Sequence, residues 1–211
     1  MKIKKLGHCC LVVEANGKRV MTDPGSYTTS QNAEKNIDAV LITHEHYDHL
    51  HIDSLKKILA NNPGAIVITN NSVGKLLDTE GIKYTIVEEG QDFEIENIKI
   101  KGFGNLHAEI YGTYGQVQNT GYMIDGLCYP GDAFNLPNCE VDILALPIAG
   151  PWLRIKDAID YAKKVRPRAV FPVHDIIIQD FATFLWKITE HFITEAGFKF
   201  KKLEIGKEEE I

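Results

Sequence analysis

Residues 37–51 read IDAVLITHEHYDHLH. The stretch 37–42 is too short for a helix and rich in branched side chains, so it reads as a buried strand. At its carboxyl end it delivers HEHYDH, with three of the chain's eight histidines and an aspartate. Side chains two apart in an extended segment point the same way, so His44 and His46 can reach one point. Asp48 and His49 follow as the chain turns and can reach a second point nearby. Imidazole nitrogen and carboxylate oxygen suit zinc, manganese or iron, and no thiolate is required. One histidine here would read as a polar loop residue capping a helix. The dense His-x-His-x-Asp-His run reads instead as metal-binding.

Composition narrows the classes around this stretch. The chain has 211 residues, 44% hydrophobic and 25% charged, enough to bury an ordinary core in one sizeable domain. The expected boundaries are a single domain over 1–206 and a frayed acidic tail over 207–211. The net charge of −6 disfavours a basic surface for extended nucleic acid, though a small anionic substrate could still bind locally. No apolar stretch has the roughly 18–20 residues of a membrane span, and the start MKIKKLGHCC lacks a signal-peptide pattern, so a cytoplasmic location is expected. Cys9, Cys10, Cys128 and Cys139 form no Cys-x-x-Cys pair and read as buried or half-buried free thiols without a chemical role.

Alternation predicts strands over 2–6, 9–15 and 18–23, with Asn16-Gly17 as a hairpin turn. After the HEHYDH strand come a short helix over 52–59, a strand over 65–69, a helix over 72–80 and a strand over 83–87. Strands are then expected over 91–96, 98–103, 106–111, 117–124 and 127–130, with turns at Asn97 and Asp125-Gly126. The remainder reads as a strand over 142–147, a helix over 155–165, a strand over 170–173, a long helix over 177–196 and a strand over 198–205. This α/β order suggests two mixed sheets with helices on their outer faces.

A complete metal site needs ligands from elsewhere, and three candidates lie where strands open into loops. His107 stands in GFGNLHAEI, Asp132 in LCYPGDAF and His174 in VFPVHD. Taken with HEHYDH, they give the pattern of the metallo-β-lactamase superfamily, which the chain resembles in order and approximate spacing along nearly its whole length. Asp23 in MTDPG matches that family's aspartate at the end of an early strand. GHCCLVVE and VQNTGYMIDGLCYPGD further resemble a small branch of general metal-dependent hydrolases that includes ascorbate-6-phosphate lactonase-like proteins.

The resemblance implies a four-layer αβ/βα sandwich with two divalent metal ions at one edge, zinc in the first place and manganese or iron as alternatives. It implies that His44, His46 and His107 hold one ion, that Asp48, His49 and His174 hold the other, and that Asp132 bridges them. An aspartate at the bridging position separates this pattern from true β-lactamases with a cysteine ligand there. Water between two such ions would supply hydroxide at neutral pH to attack an ester-type bond. Asp48 could take or relay a proton, and Asp23 could fix the tautomer of a ligand imidazole.

Around this centre, His8, Tyr47, Asn119, Trp152 and Arg154 are candidate substrate contacts, each with a plainer alternative in packing or solvation; Tyr122 is a weaker candidate. His51 reads as a helix-start residue. Arg154 is the residue suited to hold a phosphate or carboxylate. Gly112, Gly115 and Gly121 suggest that the loop 108–118 acts as a lid.

The expected function is hydrolysis of a small, anionic substrate: a phosphorylated lactone, a phosphodiester or a carboxylic ester. A nuclease or RNA-processing enzyme of the same fold is the enzymatic alternative. A non-catalytic metal-binding protein is the other, and an oxygen- or nitric-oxide-reducing di-iron protein would need a flavin partner domain. A Phe/Trp face on the 177–196 helix is compatible with a homo-oligomer.

Overall fold

A computed structural model describes residues 1–211. The chain begins as an antiparallel meander of β1 (Lys2–Gly7), β2 (Cys10–Ala15) and β3 (Lys18–Thr22). The turn between the last two is the expected Asn16-Gly17, with φ of 49° and 77°, the two positive values a tight hairpin needs. A long loop leads to β4 (Ala39–Leu41), which pairs parallel to β3 and is buried on both faces, as a central parallel strand must be. Then α1 (Ile52–Asn61), β5 (Ile66–Thr69), α2 (Asn71–Thr79) and β6 (Thr85–Ile86) extend the sheet by parallel crossovers.

The second sheet repeats the plan. Its antiparallel half is β7 (Asp92–Ile95), β8 (Ile98–Phe103), β9 (Gly121–Ile124) and β10 (Leu127–Tyr129). Its parallel half is β11 (Ile143–Pro147), β12 (Ala169–Val173) and β13 (Lys199–Phe200), with α3 (Ile155–Val165) and α4 (Phe184–Glu195) as crossovers. The last strand, β14 (Glu208–Glu210), returns to pair antiparallel with β1. The sheet orders are β14-β1-β2-β3-β4-β5-β6 and β13-β12-β11-β10-β9-β8-β7.

Three apolar layers hold these elements as the expected αβ/βα sandwich. Ile3, Leu11, Val13 and Leu41 of one sheet meet Ile100, Tyr122, Ile143 and Phe171 of the other in the central layer. Val12, Val40 and Val67 pack under Leu55, Ile58 and Leu77 of α1 and α2. Leu144, Leu146 and Val170 pack under Ala158, Tyr161 and Ile193 of α3 and α4. Tyr122 belongs wholly to the central core, so it is not a substrate contact.

Several expected elements differ. The strand over 106–111 is absent: Gly104, Gly112 and Gly115 adopt positive φ, and the backbone N–H groups of His107 and Ala108 donate to Val117 and Asp132 rather than to a ladder. The strand over 117–124 shrinks to β9, and that over 198–205 to β13. The helix over 177–196 is preceded by a turn at Asp175, where the N–H of Ile178 donates to its carbonyl, and by a 3₁₀ turn at Asp180–Ala182, so α4 starts only at Phe184. Nor do residues 208–210 fray. Glu208 pairs with Lys2, Glu209 with Lys201, and Ile211 packs against the central layer, so charge and burial both favour the strand. The turn expected at Asn97 has its positive φ at Glu96 instead.

One close approach sets the position of the HEHYDH turn. Gly25 follows β3, and a Cβ there would lie 1.8 Å from the carbonyl oxygen of Asp48 and 2.1 Å from its carbon. Both atoms are backbone, so no side-chain rotation relieves the overlap. Gly25→Ala is expected to destabilise the fold by about 1–3 kcal/mol and to disturb the turn. A urea midpoint equal to that of the unaltered chain would contradict this account.

Candidate metal centre

The site is assembled at the ends of strands from both sheets. Asp23 lies one residue beyond β3, with a φ of 37° and no exposure. Its Oδ1 accepts from the backbone N–H of Thr43 at 2.8 Å. Its Oδ2 accepts from Thr43 Oγ1, His49 Nδ1 and Tyr129 Oη, each at 2.7 Å. The His49 proton is thereby drawn to Nδ1, and Nε2 is turned inward to 3.2 Å from Asp132 Oδ1. Thr43 Oγ1, having donated to Asp23, accepts from His44 Nδ1 at 3.0 Å, which leaves His44 Nε2 as a free acceptor. His107 reaches the same condition by donating Nδ1–H to the Ala108 carbonyl at 2.6 Å.

Asp132 is held as firmly. Its backbone N–H donates to Asn119 Oδ1 at 3.0 Å, while Asn119 Nδ2 donates to the Pro130 carbonyl. Between them, Gly131 has a φ of +64°, and a Cβ there would lie 2.4 Å from Asn119 Oδ1. Asn119 is buried and occupied in holding this loop, so it positions Asp132 rather than meeting substrate. Trp152 Nε1 donates to Asp132 Oδ2 at 2.8 Å. His174 follows β12 with a φ of 56°, and its Nε2 lies 2.9 Å from Asp132 Oδ2 and 3.5 Å from Asp48 Oδ2.

The donor atoms gather in overlapping groups. Nitrogens of His44, His46 and His107 lie within 4.8 Å of one another, as do donor atoms of His44, His49 and Asp132. A third group joins His8, Cys9, His49 and His174. Cys9, read from sequence as chemically idle, is therefore within reach of the centre, while Cys10 and Cys128 are buried elsewhere and Cys139 is exposed. Nε2 of His44, His49, His107 and His174 and Oδ1 of Asp132 are buried with no partner in hydrogen-bonding geometry. Each such atom ordinarily costs about 1–3 kcal/mol. Five turned towards one another fit the donor set of cation sites, and His/Asp donors suit zinc, manganese and iron alike.

Electrostatics support that chemistry. Burial pushes His44 well below the usual imidazole value, and burial also lowers His46. Burial opposes charge on His49 and His174 too, but Asp132 outweighs it and raises both well above the usual value. Asp132 is buried, yet His49 and His174 hold its carboxyl well below the carboxylate range. Asp48, against its own burial, is likewise lowered by His174 and His8.

The remaining candidates divide clearly. His8 is buried with a φ of 46°; its Nε2 lies 3.2 Å from Asp48 Oδ2 and its ring 4.1 Å from His174. Burial lowers its pKa to about 4, so the neutral ring donates to Asp48. Tyr47 is exposed at the mouth of the cleft, hydrogen-bonded to Tyr27 at 2.7 Å. Arg154 is not brought to the site: its exposed guanidinium is held by Asp157 through contacts of 2.7 and 3.0 Å and does not line the cleft. His51 stands at the start of α1, its Nδ1 2.9 Å from Ser54 Oγ.

Sequence reasoning missed Thr43, Tyr129 and the buried Lys5, whose Nζ donates to Asp175 at 2.5 Å and to the Pro172 carbonyl, steadying the chain beside His174. Lys5 shares its strand face with Ile3, and that position was the available signal for it among the three lysines of KIKKLG. Thr43 and Tyr129 gave none.

Comparison with known proteins agrees with this arrangement. Residues 2–174 match the profile of the family described as Beta-lactamase superfamily domain. Protein Rv0786c of Mycobacterium tuberculosis is 30% identical over 203 residues, covering 92% of this chain and 94% of the relative. A UPF0173 metal-dependent hydrolase of Thermoplasma volcanium is 27% identical over 189 residues, covering 82% and 83%. Among solved structures, Igni18, a metallo hydrolase from Ignicoccus hospitalis, superposes with a TM-score of 0.78 at 24% identity over 99% of this chain and 97% of its own.

Two outcomes follow from the hydrogen bonds and charges. Asp23→Asn is expected to lower zinc affinity about 10–100-fold in a chelator competition, with the circular dichroism spectrum unchanged. His49 and His174 have raised pKa values and carry protons at neutral pH that a cation must displace. Metal affinity should therefore rise with pH through neutrality and fall in acid, with proton release visible by calorimetry in buffers of different ionisation enthalpy. Uptake without proton release would contradict the charge assignment.

Proposed function

The chain belongs to the β-lactamase superfamily and carries the metal-binding cluster of a metal-dependent hydrolase, and from that premise we propose a dinuclear centre that cleaves an ester-type bond in a small molecule. The observation that carries the reading is the set of five buried donor atoms left without hydrogen-bonding partners around one volume. In this reading His44, His46 and His107 would hold one ion and Asp48, His49 and His174 the other, with the Asp132 carboxylate available to both. Zinc is the first cation to test, then manganese and iron. The UPF0173 relative named a metal-dependent hydrolase supports the reaction class.

Divalent ions, when bound, lower the pKa of water towards about 7 and polarise a substrate oxygen. The chain's own residues do the rest. Asp23 and Thr43 keep the protons of His49 and His44 on Nδ1, so that both rings present Nε2. Trp152 orients Asp132. Asp48 is ionised, borders the cleft and has His8 Nε2 at 3.2 Å, so this pair can hold and pass on a proton as the bond breaks. The cleft is about 700 Å³, a size for a small molecule.

Lactones, carboxylic esters and phosphodiesters all fit this chemistry, and the lactonase-like branch is one member of that set. Arg154, read from sequence as suited to hold a phosphate or carboxylate, is occupied by Asp157 and adds no support for an anionic substrate.

The test compares bis(p-nitrophenyl) phosphate, sugar lactones and simple esters on zinc- and manganese-loaded protein, with and without chelator. Chelator-sensitive turnover is expected. Asp132→Ala should lose bound metal and activity together, by more than the about 10–100-fold typical of removing a supporting partner. Full activity and full metal content in that variant would overturn the dinuclear assignment.

A further inference from the structure

The cleft that opens from the proposed centre has a wall of distinct character. Its charged side chains apart from histidine are Glu45, Asp48 and Asp132, and no lysine or arginine lines it. Glu45 is already engaged by Ser72 Oγ. The outer wall is apolar and aromatic: Tyr47, Ile110, Tyr114, Pro151, Trp152 and Ile177. Tyr114 is 74% exposed and Ile177 43% exposed, so neither is consumed by the core. The loop carrying Ile110 and Tyr114 also reaches the centre. A Cβ on Gly115 would lie 2.9 Å from Ile110 Cδ1 and 3.8 Å from His46 Cε1. Wall and donor cluster are therefore one continuous cavity.

Charge then decides what the wall can accept. Two divalent cations held beside Asp48 and Asp132 would leave the centre positive, so an anionic or polarised reacting group would be compensated there. Away from the scissile bond nothing compensates an anion, since the wall offers no cation and Glu45 adds negative charge. A phosphate placed there would lose its water without gaining a partner. An alkyl or aryl group would instead lie against tyrosine, tryptophan and isoleucine.

Resting on the hydrolase reading of this same site, we propose that its substrate is an uncharged alkyl or aryl ester or lactone with no anion remote from the bond that is cleaved. In the reaction, the bond between the acyl carbon and the leaving oxygen breaks, and a bond from that carbon to the water oxygen forms. One water proton passes to the leaving alcohol and the other is released as the new acid ionises, with no oxidant or reductant.

The deciding experiment uses the zinc-loaded full chain and matched pairs. The first pair is the p-nitrophenyl esters of hexanoic acid and of its ω-phosphorylated counterpart, compared by kcat/KM. The second is the corresponding hydroxamates, compared by calorimetric Kd, which reads tail selection without turnover. The uncharged member is expected to win by at least about 10-fold in both. Tyr114→Ala should narrow the ratio, and Ile177→Lys, at an exposed position, should raise kcat/KM for the phosphorylated ester at least about 10-fold. Turnover with equal or better use of the phosphorylated ester would overturn the proposal while leaving the hydrolase reading intact. Tail selection in the hydroxamates without turnover of either ester would support the wall's preference and count against ester hydrolysis. Equal hydroxamate binding would sink the proposal whatever the turnover.

Discussion

The carboxylate of Asp23 is the constraint on which the site depends. It is fully buried, and a buried charge is tolerated only when it is hydrogen-bonded on all sides. Here the four donors come from three places in the chain: the N–H and hydroxyl of Thr43 after β4, the His49 ring in the HEHYDH turn, and Tyr129 at the end of β10 in the opposite sheet. One side chain thus joins the two sheets at their common edge. It also fixes two imidazole tautomers, one directly and one through Thr43. Tyr129 Oη also lies 2.8 Å from the carbonyl of Cys9, beside β2, so its one proton is shared between that oxygen and Asp23.

Both sheets use the same device to bring donors to that edge. Each has an antiparallel half followed by a parallel half, and the loops leaving β3, β4, β10 and β12 supply Asp23, His44, Asp132 and His174. Ligands in open α/β sheets commonly gather outside the carboxyl ends of strands, and here two sheets contribute at once. The arrangement requires unusual backbone. His8, Asp23 and His174 all have positive φ, at 46°, 37° and 56°, in residues that are not glycine. Such strain costs of order 1–3 kcal/mol each and persists where surrounding contacts over-determine it. The contacts are identifiable: Thr43, His49 and Tyr129 around Asp23, and a hydrogen bond from the His174 N–H to the His8 carbonyl that couples the other two.

Much of this was legible in the sequence because some residue patterns have one physical use. His-x-His-x-Asp-His at a strand end concentrates donors too densely for a polar loop, and Asn16-Gly17 and Asp125-Gly126 have the φ preferences of two-residue hairpins. Strands in which burial alternates or runs continuously were placed to within a few residues. What sequence misread depended on which partner, near or far, each group takes in the fold. Arg154 has the right charge for an anion, but Asp157 one helical turn away takes it. Asn119 has the right polarity for substrate, but the backbone of the Asp132 loop uses both ends of its amide. The segment 106–111 alternates like a strand, yet its amides are claimed by Val117 and Asp132. The tail 207–211 looks like a solvated acidic run until Lys2, from the other end of the chain, and Lys201 are placed beside it.

The donors and the wall are built differently, and that difference separates reaction from substrate. The donors stand at or just beyond strand ends and are mostly buried, and His44, His49, His107 and Asp132 are held by hydrogen bonds to side chains or backbone. The wall comes from loops whose aromatic and aliphatic side chains remain exposed, including the glycine-containing stretch that carries Ile110 and Tyr114. Loops of this kind tolerate change without disturbing a packed scaffold. Identity of 24% to Igni18 is enough to keep the sandwich, but a shared fold says nothing about the wall. Substrate choice in this chain must therefore be read from its own cleft, whose outer wall is apolar and aromatic and carries no lysine or arginine.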